Sequence, residues 1–159
     1  MTEFDYVVYE IKVAKEGVFD LKEVYKIIKE FFTQKDYYLI EKEQSFSDNG
    51  TLKVKWEGSR KVDDYTEFVI EVTISGSGVK EVKLKNKDSF SGNFSIKFES
   101  NMKKDYEEKW ENSPIPKFFR GLYDKFIIGS KFDRYSKDLK EETYALYNEV
   151  KSYIGVNKV

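Results

Sequence analysis

The sequence predicts an α+β fold in which an antiparallel sheet of about six strands is packed on one face by helices. Between residues 37 and 100, apolar and polar residues alternate with a period of two in short segments separated by polar loops, which is typical of half-buried antiparallel strands. Segments 20–32 and 114–153 instead repeat their apolar residues at helical spacing. The predicted order is β-α-β-β-β-β-β-α-α, ending in long helices, and we expect one domain over residues 1–159.

The first two elements are a strand over 4–14 and a helix that follows it. Asp20 is a favourable N-cap for the helix, and Glu23 stands three residues later, as in a capping box. The inward face of the strand is predicted to carry Val7, Tyr9, Ile11 and Val13. The apolar stripe of the helix consists of Leu21, Val24, Tyr25, Ile28, Phe31 and Phe32.

Five more strands are predicted after this helix, each ending in a short polar loop. Their ranges are 37–46, 51–58, 66–74, 79–85 and 94–100. The connecting segments "SDNG", "SGSG" and "NKDSFSGN" have the composition of turns. Short loops between alternating strands favour an antiparallel meander.

The last part of the chain is predicted to form two helices. Ser113 and Pro114 suit the start of the first helix, and Gly129 its end. Ser130 with Asp133 then opens the second helix. The first helix repeats Ile115, Phe118, Phe119, Leu122, Tyr123, Phe126 and Ile127 on one side, and the second repeats Leu139, Thr143, Leu146, Val150 and Tyr153. Such stripes are typical of helices that cover a sheet.

The composition excludes several classes of chemistry. The chain has no Cys and no His, so thiolate nucleophiles, disulfides, zinc fingers and Ser-His-Asp triads are ruled out. We expect no catalytic residue, no metal site and no cofactor, and we favour a binding role over an enzymatic one, which ranks fourth among the hypotheses. We see neither a secretory signal nor a transmembrane segment, which leads us to expect a cytoplasmic protein.

The candidate binding residues lie between positions 114 and 140, where seven basic side chains outnumber three acidic ones. This excess could attract a phosphate, RNA or an anionic membrane surface, although we favour the interpretation as a solvated helix face with its ordinary share of lysine. Gly121 in mid-helix indicates a close neighbour on the same face. The residues singled out for binding are Lys117, Arg120, Gly121, Lys125, Lys131 and Arg134.

Asp63 and Asp64 in "SRKVDDYT" are two adjacent carboxylates at the junction of two predicted strands. Neighbouring residues of an extended chain point to opposite faces, so the two carboxylates are not expected to converge. We interpret them as turn residues rather than as a cation or acid–base site.

The order of a strand, a helix, a run of antiparallel strands and a long C-terminal helix resembles the helix-grip fold of START and Bet v 1-like proteins. The resemblance implies a curved sheet that wraps the last helix and encloses an apolar ligand cavity. The single long helix "DLKEVYKIIKEFF" and the two C-terminal helices depart from that family, which has two short helices and one long one. The segments "VKWEGSRKVDDY" and "KWENSPIPKFFRGLYDKFI" are similar to small archaeal proteins of unknown function, which imply no residue roles.

The sequence thus leaves three binding hypotheses. The first is a non-enzymatic interaction module that self-associates, or binds another protein, through its C-terminal helices. The second is a helix-grip carrier of an apolar small molecule, and the third is a binder of an anion, RNA or a membrane surface.

Overall fold

The structure is a computed structural model that describes residues 3–84, 87–104 and 129–156. The described part of the chain is α+β, with one five-stranded antiparallel sheet and two helices. The elements are β1 (Glu3–Phe19), α1 (Leu21–Gln34), β2 (Tyr38–Phe46), β3 (Leu52–Lys61), β4 (Thr66–Leu84), β5 (Lys87–Lys104) and α2 (Gly129–Val156). The predicted fold class is therefore confirmed, whereas the number of strands is not.

The sheet has the strand order β1-β5-β4-β3-β2, and every neighbouring pair is antiparallel. Strands β2 to β5 form the predicted meander. Because β1 pairs with β5 at one edge and β2 lies at the other, α1 has to carry the chain across the whole sheet. This crossing places α1 over the same inner face that α2 covers.

The prediction of two strands at 66–74 and 79–85 was wrong, since β4 runs through both. The predicted turn "SGSG" lies within β4, where the pairing with β5 shifts register between Ser77 and Lys80. Gly78 adopts a φ of 61° there, a conformation that glycine reaches without the strain of a side chain. The glycines thus form a bulge instead of a turn. The prediction of a loop at "NKDSFSGN" was likewise wrong, because β5 begins at Lys87 and includes most of this segment.

The inward orientation predicted for Tyr9 was also wrong. The register between β1 and β5 shifts twice between Tyr6 and Ile11, and these bulges break the strict alternation of the strand. As a result Tyr9 is 72% exposed, while Val8 and Val13 are buried.

The start of α1 agrees with the prediction. The Asp20 side chain accepts a hydrogen bond from the Glu23 backbone amide at 3.2 Å. The buried residues of the helix are Val24, Ile28, Phe31 and Phe32, all from the predicted stripe.

Helix α2 spans 28 residues and buries the predicted side of its sequence. Leu139, Thr143, Leu146 and Val150 are buried. The predicted helix over 114–127 lies outside the described residues. In the described part of the chain, no helix is long and apolar enough to cross a membrane.

The two faces of the sheet differ sharply in composition. On the inner face, the row Trp56, Val72, Phe98 follows directly from the pairing of β3, β4 and β5, and all three side chains are buried. Tyr25 of α1 contacts Trp56, and Tyr147 of α2 contacts Phe98. Both described helices therefore pack on the inner face, and the outer face carries mainly charged and polar side chains.

Candidate functional site

A pocket of about 230 Å³ lies between the first turns of α1 and strands β2 and β3. It is lined by Leu21, Lys22, Tyr25, Glu41, Gln44, Val54 and Trp56. We call it the Tyr25–Trp56 pocket. Its walls are apolar and aromatic, and its polar groups come from α1 and β2.

Two aromatic rings form the deepest wall of this pocket. The ring centroids of Tyr25 and Trp56 are 5.0 Å apart, with an interplanar angle of 56°, which is a favourable tilted aromatic contact. Trp56 and Val54 belong to the buried core, whereas Tyr25 is only half-buried. The inner end of the pocket is thus fixed by the core, and its outer end opens to solvent.

The polar side of the pocket depends on a bulge in β2. Glu41 pairs with Trp56 and Gln44 pairs with Val54, because the register shifts between Glu41 and Glu43. In a regular strand, residues three positions apart would lie on opposite faces, so sequence alternation alone could not have placed Glu41 and Gln44 in one site.

Glu41 also fixes the tyrosine of the pocket. The Tyr25 hydroxyl is hydrogen-bonded to Glu41, which raises the pKa of Tyr25, and burial adds to the same shift. The phenol therefore remains protonated and donates to the carboxylate across the pocket rim. Lys22 contributes a cation at the same rim.

A second polar cluster surrounds Arg60, which lies at the end of β3 on the inner face of the sheet. The guanidinium binds the Glu142 carboxylate in a bidentate manner, with Nη1–Oε1 at 3.0 Å and Nη2–Oε2 at 3.1 Å. It also donates to the Lys35 carbonyl at 2.7 Å and stacks 4.6 Å from the Tyr37 ring centroid. Tyr37 donates its hydroxyl to Glu142 at 2.8 Å.

The pKa shifts agree with an Arg60 cluster whose charged groups interact with one another within the protein. Burial raises the pKa of Tyr37 strongly, and the charge of Glu142 adds to it. Burial lowers the pKa of Arg60, but the hydrogen bonds to Glu142 and the electrostatic interactions with Tyr37, Glu142 and Asp36 together outweigh that effect and raise the pKa overall. Arg60 borders an open cleft of about 590 Å³ together with Asp36 and Glu67, yet its donors are engaged within the protein. We interpret this cluster as a set of structural contacts that holds α2, β3 and the C-terminal end of α1 together.

Asp63 forms a third polar cluster at the turn between β3 and β4. Its Oδ1 accepts from the backbone amides of Tyr65 and Thr66 at 2.8 and 2.7 Å. Its Oδ2 accepts from the Tyr135 hydroxyl at 3.0 Å and lies 3.2 Å from the Lys131 ammonium. The turn role expected for Asp63 is thus seen, together with a tie to α2 that the sequence did not reveal.

Of the predicted binding residues, Lys131 and Arg134 are described, and neither lines the Tyr25–Trp56 pocket. Lys117, Arg120, Gly121 and Lys125 lie outside the described residues. Lys131 is paired with Asp63. Arg134 is exposed beside Tyr135, with its guanidinium carbon 5.7 Å from the ring centroid. Their proposed role in binding an anion, and self-association through the C-terminal helices, remain predictions.

The described residues contain no group of three or more carboxylates arranged to hold a metal ion. No protein-family model matches this chain, and no curated protein sequence matches it. Function is therefore inferred from the geometry of the sites described above.

Proposed function

We propose that this protein is a binding module for a small apolar molecule, held in the Tyr25–Trp56 pocket between α1 and the sheet. The observation that carries the proposal is the concave aromatic wall formed by Tyr25 and Trp56 beside the polar rim of Lys22, Glu41 and Gln44. Small-molecule sites commonly combine mostly apolar walls with a few polar groups that fix orientation.

The size and lining of the pocket define the class of ligand. Its volume of about 230 Å³ lies below the range of roughly 300–1,000 Å³ that is usual for drug-sized ligands. A flat compound of one or two rings fits this volume and these walls. A hydroxyl or amine on the ring could reach Glu41 or Gln44, while the ring lies against Trp56.

The resemblance to helix-grip proteins supports a carrier role but suggests a different place for the ligand. In those proteins the cavity is expected between the sheet and the last helix. Here large side chains such as Phe98 of the sheet and Leu146 of α2 are buried, whereas the Tyr25–Trp56 pocket lies beside the first helix. The proposal therefore depends on this chain's own pocket and not on the family likeness.

The test is a fluorescence titration of Trp56. The chain has two tryptophans, so a Trp110→Phe variant leaves Trp56 as the only indole. We expect one-ring and two-ring probes such as phenols and naphthols, which contain no indole of their own, to quench the emission of Trp56 saturably. Absence of any saturable change across such a panel would contradict the proposal.

A pair of matched variants on α1 locates the binding site. Leu21→Phe should fill the Tyr25–Trp56 pocket and weaken probe binding at least tenfold, since Leu21 lines that pocket. Ile27→Phe adds the same ring to the other side of the helix, where Ile27 lines a groove between α1 and α2, and should leave binding unchanged. Equal affinity in both variants would mean that the probe binds elsewhere.

A further inference from the structure

The lining of the Tyr25–Trp56 pocket contains one cation and one anion. Lys22 belongs to the first turn of α1, and Glu41 belongs to β2, so the two charges reach the pocket from different elements. Gln44 adds a neutral amide from the same strand as Glu41. The charged groups of the rim are therefore one of each sign, next to apolar and aromatic walls.

Glu41 is the acid of β2 that faces the pocket without an ion-pair partner. Its neighbours along the strand are paired: the ammonium of Lys42 lies 3.4 Å from the Glu57 carboxylate, and that of Lys53 lies 3.7 Å from the Glu43 carboxylate. Within the described part of the chain, Glu41 forms no ion pair of its own. Its negative charge is thus available to a ligand in the pocket.

The tyrosine of the pocket orients Glu41 and leaves it able to bind a further group. The Tyr25 hydroxyl is hydrogen-bonded to Glu41, and an ionised carboxylate has about four lone-pair sites on its two oxygens. Lys22, whose ammonium has three donors, forms no ion pair with Glu41 or with any other residue that the structure describes. Each of the two rim charges can therefore bind a ligand group of the opposite sign.

We propose that the ligand of the Tyr25–Trp56 pocket is an aromatic zwitterion, a compound such as a free aromatic amino acid that carries a ring, an ammonium group and a carboxylate. The inference rests on the proposed function, because it specifies the ligand class of the same pocket, and the ring is the apolar part which that function requires. The ammonium binds Glu41, the carboxylate binds Lys22, and the ring lies against Trp56.

Each part of such a ligand has a counterpart in the lining. Leu21 and Val54 lie beside Trp56 in the apolar wall and contact the ring. The ammonium lies next to the Tyr25 ring as well as the Glu41 carboxylate, and an aromatic face attracts a cation. An aromatic amine or an aromatic acid would leave one of the two rim charges unmatched, so both should bind more weakly than the zwitterion.

The contribution of each charge should be modest and sensitive to salt. Lys22 and Glu41 are both exposed, and exposed ion pairs contribute little individually. We expect the dissociation constant to rise about fivefold when the ligand lacks either charge. Salt should weaken the binding of the zwitterion and leave the binding of a neutral ligand with the same ring unchanged.

Four ligands with the same ring measure the two charges separately. L-Phenylalanine carries both charges, 2-phenylethylamine carries only the ammonium, 3-phenylpropionate carries only the carboxylate, and 2-phenylethanol carries neither. Each is titrated into the Trp110→Phe chain while the emission of Trp56 is recorded. We expect L-phenylalanine to bind most tightly and 2-phenylethanol most weakly, with the two singly charged compounds between them.

Matched variants assign each ligand charge to its residue. Glu41→Gln keeps an acceptor for the Tyr25 hydroxyl and removes the charge, so L-phenylalanine and 3-phenylpropionate should then bind equally. Lys22→Gln should make L-phenylalanine and 2-phenylethylamine bind equally. Glu43→Gln and Lys26→Gln change the same charges on the same two elements without lining the pocket, and both should keep the wild-type order of affinities.

The outcomes distinguish the ligand class from the pocket itself. Equal affinity for all four ligands would overturn the zwitterion and leave the pocket proposal intact. Saturable binding of 2-phenylethanol or a naphthol, without binding of L-phenylalanine, would have the same meaning. Absence of a saturable change in Trp56 emission with every ligand, naphthols included, would contradict the pocket and its ligand class together.

Discussion

Gly58 shows how a missing side chain determines where α1 can lie on the sheet. A Cβ atom built at this position would be 2.7 Å from the ring of Phe32, and Phe32 is completely buried. We therefore expect Gly58→Ala to overpack the core and to lower the free energy of unfolding by about 1–3 kcal/mol. Urea denaturation followed by circular dichroism measures this change.

Two further variants separate the Phe32 contact from a general effect of alanine. Phe32→Leu removes part of the ring, so Gly58→Ala should cost less in the Phe32→Leu background than in the wild type. Gly155→Ala is the control, because a Cβ there meets nothing within 4 Å, and it should be neutral or slightly stabilising in a helix. Equal stability of Gly58→Ala and the wild type would show that Phe32 does not press on the sheet.

Individual residues were predictable from the sequence where their role is local. The Asp20 cap and the buried positions of α1 follow from residues within a few positions of one another. Gly58 carries no such signal, since the side chain that requires a glycine comes from another element. The same holds for Glu41 and Gln44, because a bulge places both beside Trp56. Tyr9 was placed wrongly for a related reason, as two register shifts in β1 turn it outward.

At the scale of elements, Asp63 joins the β3–β4 turn to the first turns of α2. Burial raises its pKa, but the hydrogen bonds from the amides of Tyr65 and Thr66 and from Tyr135 and Lys131 together outweigh burial and hold the pKa of Asp63 below its usual value. A lowered pKa in the folded state means that the ionised carboxylate stabilises the fold. This contribution is complete above the unfolded-state pKa of about 3.9 and is lost as the pH falls through the folded-state value.

Asp63→Asn should therefore remove part of the acid sensitivity of the protein. We expect the variant to lose about 1 kcal/mol of stability at neutral pH, because the charged hydrogen bonds to Lys131 and the backbone amides are weakened. Between about pH 4 and pH 2, its stability should fall less steeply than that of the wild type. Urea unfolding at a series of pH values provides the measurement.

The neighbouring carboxylate is the matched control for this experiment. Asp64 is exposed, so Asp64→Asn makes the same substitution one residue away while leaving the contacts of Asp63 in place, and it should keep the wild-type stability at neutral pH. If Asp63→Asn and Asp64→Asn gave the same profile, the tie between Asp63 and α2 would contribute nothing measurable.

The elements themselves were predicted well in type and less well in extent. Alternation located every strand of the meander because one face of the sheet is buried and the other is polar. Strand β4 was divided in two because "SGSG" has the composition of a turn, and only the pairing with β5 reveals that the glycines form a bulge. The composition of a short glycine-rich segment cannot distinguish a turn from a bulge, since both structures use the positive φ that glycine permits.

For the whole molecule, the strand order sets the order in which contacts can form. Val54 of β3 pairs with Ile74 of β4, 20 residues later in the chain, whereas Val13 of β1 pairs with Ile96 of β5 across 83 residues. Closing the longer segment costs about 1 kcal/mol more conformational entropy. We therefore expect the β3–β4 hairpin to form before β1 joins the sheet.

Two matched substitutions test this order of assembly. Val54 and Val13 are both buried on the inner face of the sheet, so changing either residue to alanine should destabilise the protein by more than the roughly 0.6 kcal/mol needed for a reliable φ-value. Val54→Ala should mainly slow folding, with a φ-value above about 0.5, because its contacts exist in the transition state. Val13→Ala should mainly speed unfolding, with a φ-value near zero, because β1 pairs late. Stopped-flow folding and unfolding rates across urea concentrations give both φ-values. A higher φ-value at Val13 than at Val54 would mean that β1 pairs with β5 before the β3–β4 hairpin forms, despite the cost of closing the longer chain segment.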